Sequence, residues 1–354
     1  RSHMTQSALL AIGAAVAVFV GVNIGGSSTG VAFGPATGSD VLSMRSASAL
    51  MAVFVLLGGF TIGTNVVDTL GSGFVPAKFF TLGASIGVLL FIGLGILLGN
   101  VLRVSTSTSQ TAVAAVVGMG AALGALDWRT VGVVVLWWIL STILAFWVCA
   151  FVGRYLYDAV VDALALESRD TRLAELVVIG ISCYMAFSAG ASNVANAVAP
   201  LVGSGQLGMF SGVAIGGVAI GVGAFALGPR TMETVGEDIT DLSLEASLIA
   251  ELIAASVLTG LSWAGIPASL AVVLTACVIG LGWGRASRRV PLPAVVRPEG
   301  LTERERAAWA GDQLDLFNPR TTKRVVLTWI VTPTVAGLVA FSTFEAAQRA
   351  GLLV

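Results

Sequence analysis

The sequence predicts an all-α polytopic membrane protein made of two inverted-topology repeats, with broken helices and re-entrant hairpins. Three observations lead there. Hydrophobic residues make up 56% of the 354 and charged residues only 11%, with a mean hydropathy of +0.92; a soluble domain carries about 25% charge. Two polar motifs interrupt apolar runs: Gly190-Ala191-Ser192-Asn193-Val194-Ala195-Asn196-Ala197-Val198-Ala199-Pro200 and, more weakly, Gly21-Val22-Asn23-Ile24-Gly25-Gly26-Ser27-Ser28-Thr29-Gly30. Features of the two halves also recur at similar spacing. Gly21 and Gly190 stand 169 residues apart (190 − 21), and Ser105 and Ser269 stand 164 apart (269 − 105).

A span needs roughly 20 apolar residues, so the chain has room for about ten, some broken or re-entrant. Residues 1–6 hold Arg1-Ser2-His3, which reads as an expression remnant before Met4. His3 is the sole histidine, so a native histidine metal site, catalytic triad or proton relay is not expected. Repeat 1 is assigned to residues 7–151. Its first run, Ser7 to Thr37, has no charge, and Gly25-Gly26 and Gly34-Pro35 are expected to interrupt the helix. Asp40 and Arg45 mark an exit to water. A second span from Ala47 to Thr64 leads to Asn65 and Asp68, then to turn-like glycines and Pro76.

Phe79 to Asn100 makes the next span. It is followed by Arg103-Val104-Ser105-Thr106-Ser107-Thr108-Ser109-Gln110 and the apolar run Thr111 to Leu126. A hydroxyl cluster beside a lone cation suits either a surface loop or the tip of a re-entrant hairpin. Val131 to Phe151 spans again, with Trp137, Trp138 and Trp147 as interfacial anchors. Residues 152–175 form a polar connector. Repeat 2, residues 176–346, passes through the Ser192 motif, a span from Leu207 to Leu227, and a charged turn with Glu233. It continues through an apolar stretch containing Glu251 to the break Gly265-Ile266-Pro267-Ala268-Ser269. A linker, 284–324, carries nine basic residues against five acidic ones and is placed in the cytoplasm. Residues 347–354 are the tail. Cys149, Cys183 and Cys277 lie in apolar runs without metal-ligand spacing and read as core thiols.

Amides and hydroxyls inside lipid are costly unless they face protein, water or a ligand. One such break per half is the pattern by which repeat-built carriers mark a substrate site, although glycine, serine and asparagine also serve as helix-packing surface. Uphill movement needs a coupling ion. By sequence Glu251 is the best-placed buried carboxylate, with Asp68 and Glu233 nearer the interface.

The two motifs resemble those of the inorganic phosphate transporter family, whose pattern in each half is Gly-Ala-Asn-Asp-Val-Ala-Asn-Ala-Phe-Gly. Thr231-Met232-Glu233-Thr234-Val235-Gly236-Glu237-Asp238 is similar to the family's turn between spans, and Val104-Ser105-Thr106-Ser107 to its hairpin tip. The resemblance implies a carrier of a small oxyanion in the cell membrane, with substrate ligands at Asn23, Gly25, Gly26, Ser27, Ser28, Thr29, Arg103, Ser105, Thr106, Ser107, Ser192, Asn193, Asn196 and Ser269. Two family aspartates are replaced by Ile24 and Asn193, one family asparagine by Ser27, and a tip proline by Arg103. These departures look closer to the sulfate-permease branch, and they remove the two aspartates that the family's sodium-coupled phosphate carriers use around their sodium sites. The implied partners are sulfate or phosphate, a coupling proton or sodium ion, membrane lipid and a second copy in a homodimer. No enzyme activity, cofactor or nucleic acid is implied.

Overall fold

The computed structural model describes residues 2–101, 106–164, 171–229, 243–289 and 319–351, and among these the chain is all helical. The helices are α1 (Ser2–Gly38), α2 (Met44–Gly58), α3 (Thr64–Asp68), α4 (Leu82–Val101), α5 (Thr108–Ala122), α6 (Trp128–Phe151), α7 (Tyr157–Leu164), α8 (Thr171–Gly203), α9 (Met209–Ala226), α10 (Leu244–Trp263), α11 (Leu270–Ala286) and α12 (Pro319–Arg349). Among the described residues, eight helices are long and apolar enough to cross a membrane, and Leu270–Ala286 is a shorter apolar helix. The expectation of about ten spans, some broken or re-entrant, compares with these eight and the two shorter helices α5 and α11. The chain is a multi-pass membrane protein.

Neither polar motif breaks its helix. α1 runs on through Gly25-Gly26 and Pro35, and α8 through Ser192 to Asn196 and Pro200. Glycine costs a helix only about 1 kcal/mol relative to alanine, and here tertiary packing requires it. A Cβ on Gly25 would collide with the Ile220 carbonyl of α9, and one on Gly223 with the Val22 carbonyl of α1. The same exchange joins α2 and α8, where a Cβ on Gly58 meets the Phe187 carbonyl and one on Gly190 meets that of Val55. Removing side chains lets backbones touch, which is how helices associate in lipid. Pro35 and Pro200 lie within the last turn of α1 and α8.

Other boundaries also move. The second span does not stop at Thr64: π-helical turns at Gly59–Gly63 and Thr69–Gly73 flank α3 and carry the helix to Gly73. Part of the expected connector is helical as well, through Val152–Leu156 and α7, and α8 starts five residues before Leu176. Packing carries the first beyond its apolar run, since residues 64–73 are poor helix formers and a Cβ on Gly71 would press on the Ala199 carbonyl of α8. Ahead of α6, the Thr130 hydroxyl and the Arg129 amide both donate to the Asp127 carboxylate at 2.9 Å and hold its pKa below the ordinary value.

The helices pair reciprocally. α1 packs on α9 and α2 on α8; α5 packs on α12 and α11 on α6; α1 lies along α4 and α8 along α10. The start of α5 and the segment between α10 and α11 both lie inside the assembly, where a hydroxyl of the one and a carbonyl of the other bond to the middle of α8.

Candidate functional site

The interior turns bring four segments together. From α8 come Ser192, Asn193 and Asn196, all at most 2% exposed; α1 supplies Ser28, the start of α5 supplies Thr106 to Ser109, and the segment before α11 supplies Ala268 and Ser269. The spacing of Ser192 and Asn196, one helical turn apart, puts both on one face of α8.

Asn193 is the hub. Its Oδ1 accepts from the Thr108 hydroxyl at 2.9 Å and from Asn196 Nδ2 at 3.2 Å, while its Nδ2 donates to Ser28 Oγ at 3.3 Å. Asn196 Nδ2 also donates to Ser109 Oγ at 3.2 Å. The Ser109 and Ser192 hydroxyls both donate to the Ala268 carbonyl, at 2.8 and 2.7 Å. Trp138 on α6 holds the same segment by donating its indole N–H to the Pro267 carbonyl at 2.6 Å. Four separate chain segments are thus tied into one hydrogen-bonded cluster.

Some polar atoms in it are left over. Thr106 Oγ1, Ser107 Oγ and Asn196 Oδ1 are buried without a hydrogen-bond partner among the described residues. Stranding a buried polar group costs roughly 1–3 kcal/mol, so three in one place mark a site built to bond something else. No Asp or Glu side chain among the described residues bonds to the cluster. Ser107 and Ser269 are the N-caps of α5, 15 residues, and α11, 17 residues. Two helix N-termini therefore converge on it, each with a partial positive charge of about half a unit. Hydroxyls, amides and helix N-termini without carboxylates are, chemically, groups that suit an anion.

The residues anticipated from sequence fall into groups. Ser28, Ser192, Asn193, Asn196, Thr106, Ser107 and Ser269 come together here. Asn23 is buried but turned to α4, where Asn100 Nδ2 donates to its Oδ1 at 3.1 Å and its backbone carbonyl at 3.0 Å. The Ser27 hydroxyl donates to the Ile24 carbonyl of its own helix at 3.0 Å. Gly25 and Gly26 lie against α9 and Leu227. Arg103, Ser105 and Glu233 lie outside the described residues, as does the side chain of Thr29. Asp68 is exposed, apart from the cluster. Glu251 on α10 is 2% exposed, and its Oε2 has no partner among the described residues.

Three participants were not anticipated. Asn100 signals itself only as an amide closing a long apolar run, and Thr108 and Ser109 as the continuation of the tip hydroxyls. Helix polarity adds a feature the sequence did not display: the N-termini that face the cluster are the starts of α5 and α11, while α1 and α8 run unbroken past it.

Eight or more apolar helices folded around a buried, anion-suited cluster drawn from both halves define a membrane carrier. The chain belongs to the phosphate transporter family, whose model matches residues 24–165 and 159–340, and it is an anion transporter of that family. It is 32% identical over 269 residues to the sulfate permease CysP of Bacillus subtilis (strain 168), an alignment that covers 76% of this chain and 75% of that protein. Among solved structures it resembles the sodium-dependent phosphate transporter, with a TM-score of 0.75, 20% identity, and coverage of 97% of this chain and 99% of the other. That likeness establishes the fold.

Proposed function

We propose that the protein imports sulfate by proton-coupled alternating access, with the anion held by Ser28, Thr106, Ser107, Ser192, Asn193, Asn196 and Ser269. The observation that carries this reading is the absence of carboxylates from the cluster among its described residues. Near neutral pH phosphate keeps at least one proton and favours a site with an acceptor, while sulfate only accepts hydrogen bonds. Taking a multivalent anion out of water costs several kcal/mol per charge, so its hydration must be replaced by donors. Unpartnered hydroxyls on Thr106 and Ser107 and the N-termini of α5 and α11 suit that role. Arg103, two residues before Ser105, has the planar fork that oxyanions prefer.

The reciprocal pairing of α1 with α9 and α2 with α8, and the two family matches, one in each half, support two inverted repeats, residues 7–151 and 176–346, moving about a shared site. Glu251 is the proposed coupling group, because it is buried and the chain has no histidine beyond His3. Phosphate is the second reading, favoured by Asn196 Oδ1, an unpartnered acceptor that suits the proton of a hydrogen phosphate.

Uptake of labelled sulfate into proteoliposomes, with unlabelled phosphate as competitor, separates the two under a proton gradient and under a sodium gradient. Proton-driven sulfate uptake indifferent to phosphate is expected. Sodium-driven uptake blocked by phosphate overturns the reading.

A further inference from the structure

Glu251 lies away from the anion cluster, and its connection to that cluster runs along one helix seam. α8 carries Tyr184, Ser188, Ser192 and Asn196 at four-residue spacing, a single stripe. α10, packed along it, carries Glu251, Ala255, Thr259 and Ser262 at spacings of four, four and three, another single stripe. The stripes meet. Ser188 Oγ lies 2.7 Å from Thr259 Oγ1 and donates to the Ala255 carbonyl at 3.0 Å. One turn further along α8, Ser192 bonds the Ala268 carbonyl just past the end of α10. α8 and α10 therefore run in the same direction, with the anion cluster at the upper end of the seam and Glu251 one turn, about 6 Å, below Ala255.

Such a row of hydroxyls is not needed to hold the two helices together. Gly and Ala packing does that elsewhere in this molecule, and Ser262 Oγ is buried with no partner among the described residues, as is Glu251 Oε2. On the elements packed against α10, no charged residue lies on α8 after Glu175, on α11 before Arg285, on α6 between Arg129 and its end, or on α1 after His3, and Asp68 on α3 is exposed. On α10 itself the other acid is Glu245, six residues away. Glu251 is thus an isolated carboxylate on α10, on the same helical stripe as Ala255 and Thr259 and one turn from the Ala255 carbonyl that Ser188 bonds.

Resting on the proton-coupled reading above, we infer that the Ser188–Thr259 hydroxyl pair, with Ser262 and Ser192, is the proton relay between the anion cluster and Glu251. Protons then enter through the opening that admits the anion. A hydronium in the open site gives a proton to the Ser192 hydroxyl, which passes its own proton on; Ser262, Thr259 and Ser188 do likewise, and the Glu251 carboxylate ends as a carboxylic acid. Steps of about one helical turn are bridged by a water molecule between hydroxyls. When the site opens to the other side the sequence reverses, and the carboxylate is regenerated. Ser188, Thr259 and Ser262 touch neither the anion nor one another's backbone amides in this scheme, so they act as relay groups and not as ligands.

The test separates proton movement from anion movement in proteoliposomes of the full chain. Wild type, Ser188→Ala, Thr259→Val and Thr259→Ser are compared in proton-driven sulfate uptake and in sulfate counterflow, where labelled sulfate exchanges with trapped sulfate and no net proton moves. The expected result is a loss of about tenfold or more in proton-driven uptake for Ser188→Ala and Thr259→Val, counterflow within about twofold of wild type, and recovery of both activities in Thr259→Ser. Wild-type behaviour of Thr259→Val in both assays overturns the relay and leaves the sulfate–proton reading standing. Equal loss of both activities in Thr259→Val and Thr259→Ser also overturns it, since that marks a structural role. Absence of proton-driven uptake in the wild type overturns the underlying reading together with the relay.

Discussion

At the scale of single residues the most telling substitution is Asn193, where the family pattern has an aspartate. Its Oδ1 takes the Thr108 hydroxyl and its Nδ2 reaches Ser28, so the amide uses both ends at once. A carboxylate there would keep the first bond, lose the second and face the anion with a like charge. Asn193→Asp is therefore expected to lower sulfate uptake at neutral pH by at least about tenfold, equivalent to roughly 1.4 kcal/mol. Uptake equal to wild type would remove the cluster from the transport path. Asn193 was legible in sequence because an amide in an apolar run is costly. Its bond to Thr108 was not, because those residues lie 85 apart in the chain.

At the scale of elements, helix contacts set by glycine dominate. Gly190→Ala would press a methyl group into the Val55 carbonyl, while a Cβ on Gly180 of the same helix meets nothing within 4 Å. Overpacking of this kind costs typically about 1–3 kcal/mol, so Gly190→Ala should lower the thermal midpoint in detergent, and Gly180→Ala should leave it unchanged or raise it. Equal midpoints for the two would mean that α2 and α8 are not in close contact. The segment before α11 offers a second test. Trp138→Phe keeps the ring but removes the donor to the Pro267 carbonyl, and is expected to reduce sulfate uptake severalfold with little change in thermal midpoint, because it loosens the turn that presents Ala268 and Ser269. Wild-type uptake in that variant would show that the turn is held without the indole. The sequence marked Gly25-Gly26 and Pro35 as breaks; packing made Gly25 and Gly26 contacts and left Pro35 three residues from the end of α1, whereas the Gly265 to Ser269 break is kept. Local propensity is worth about 1 kcal/mol per residue, and a long buried interface outweighs it.

At the scale of the whole molecule the two halves are interlocked. α1 needs α9 for its glycine face, α2 needs α8, and the central cluster draws on both halves. Residues 1–164 and 171–354 expressed separately are each expected to be degraded, and to co-purify and regain uptake when expressed together. A stable half on its own would mean that the contacts across the interface contribute little. The same interlocking fits the alternating access proposed above, in which a site between two halves is opened to either side by rocking one against the other.

Composition and spacing by themselves determined that this chain lives in a membrane, that its polar motifs come in pairs, and that Ser192, Asn193 and Asn196 with Thr106, Ser107 and Ser269 are its unusual residues. These follow from one-dimensional rules: lipid penalises every polar group, so each survivor is visible against an apolar background. Tertiary structure alone decided that α1 and α8 stay continuous, that α5 and α11 supply the inward helix N-termini, that Asn23 pairs with Asn100, and that Glu251 shares a seam with Ser188 and Thr259. Those depend on which helix lies beside which, and contacts between residues far apart in the chain leave no periodicity for the sequence to display.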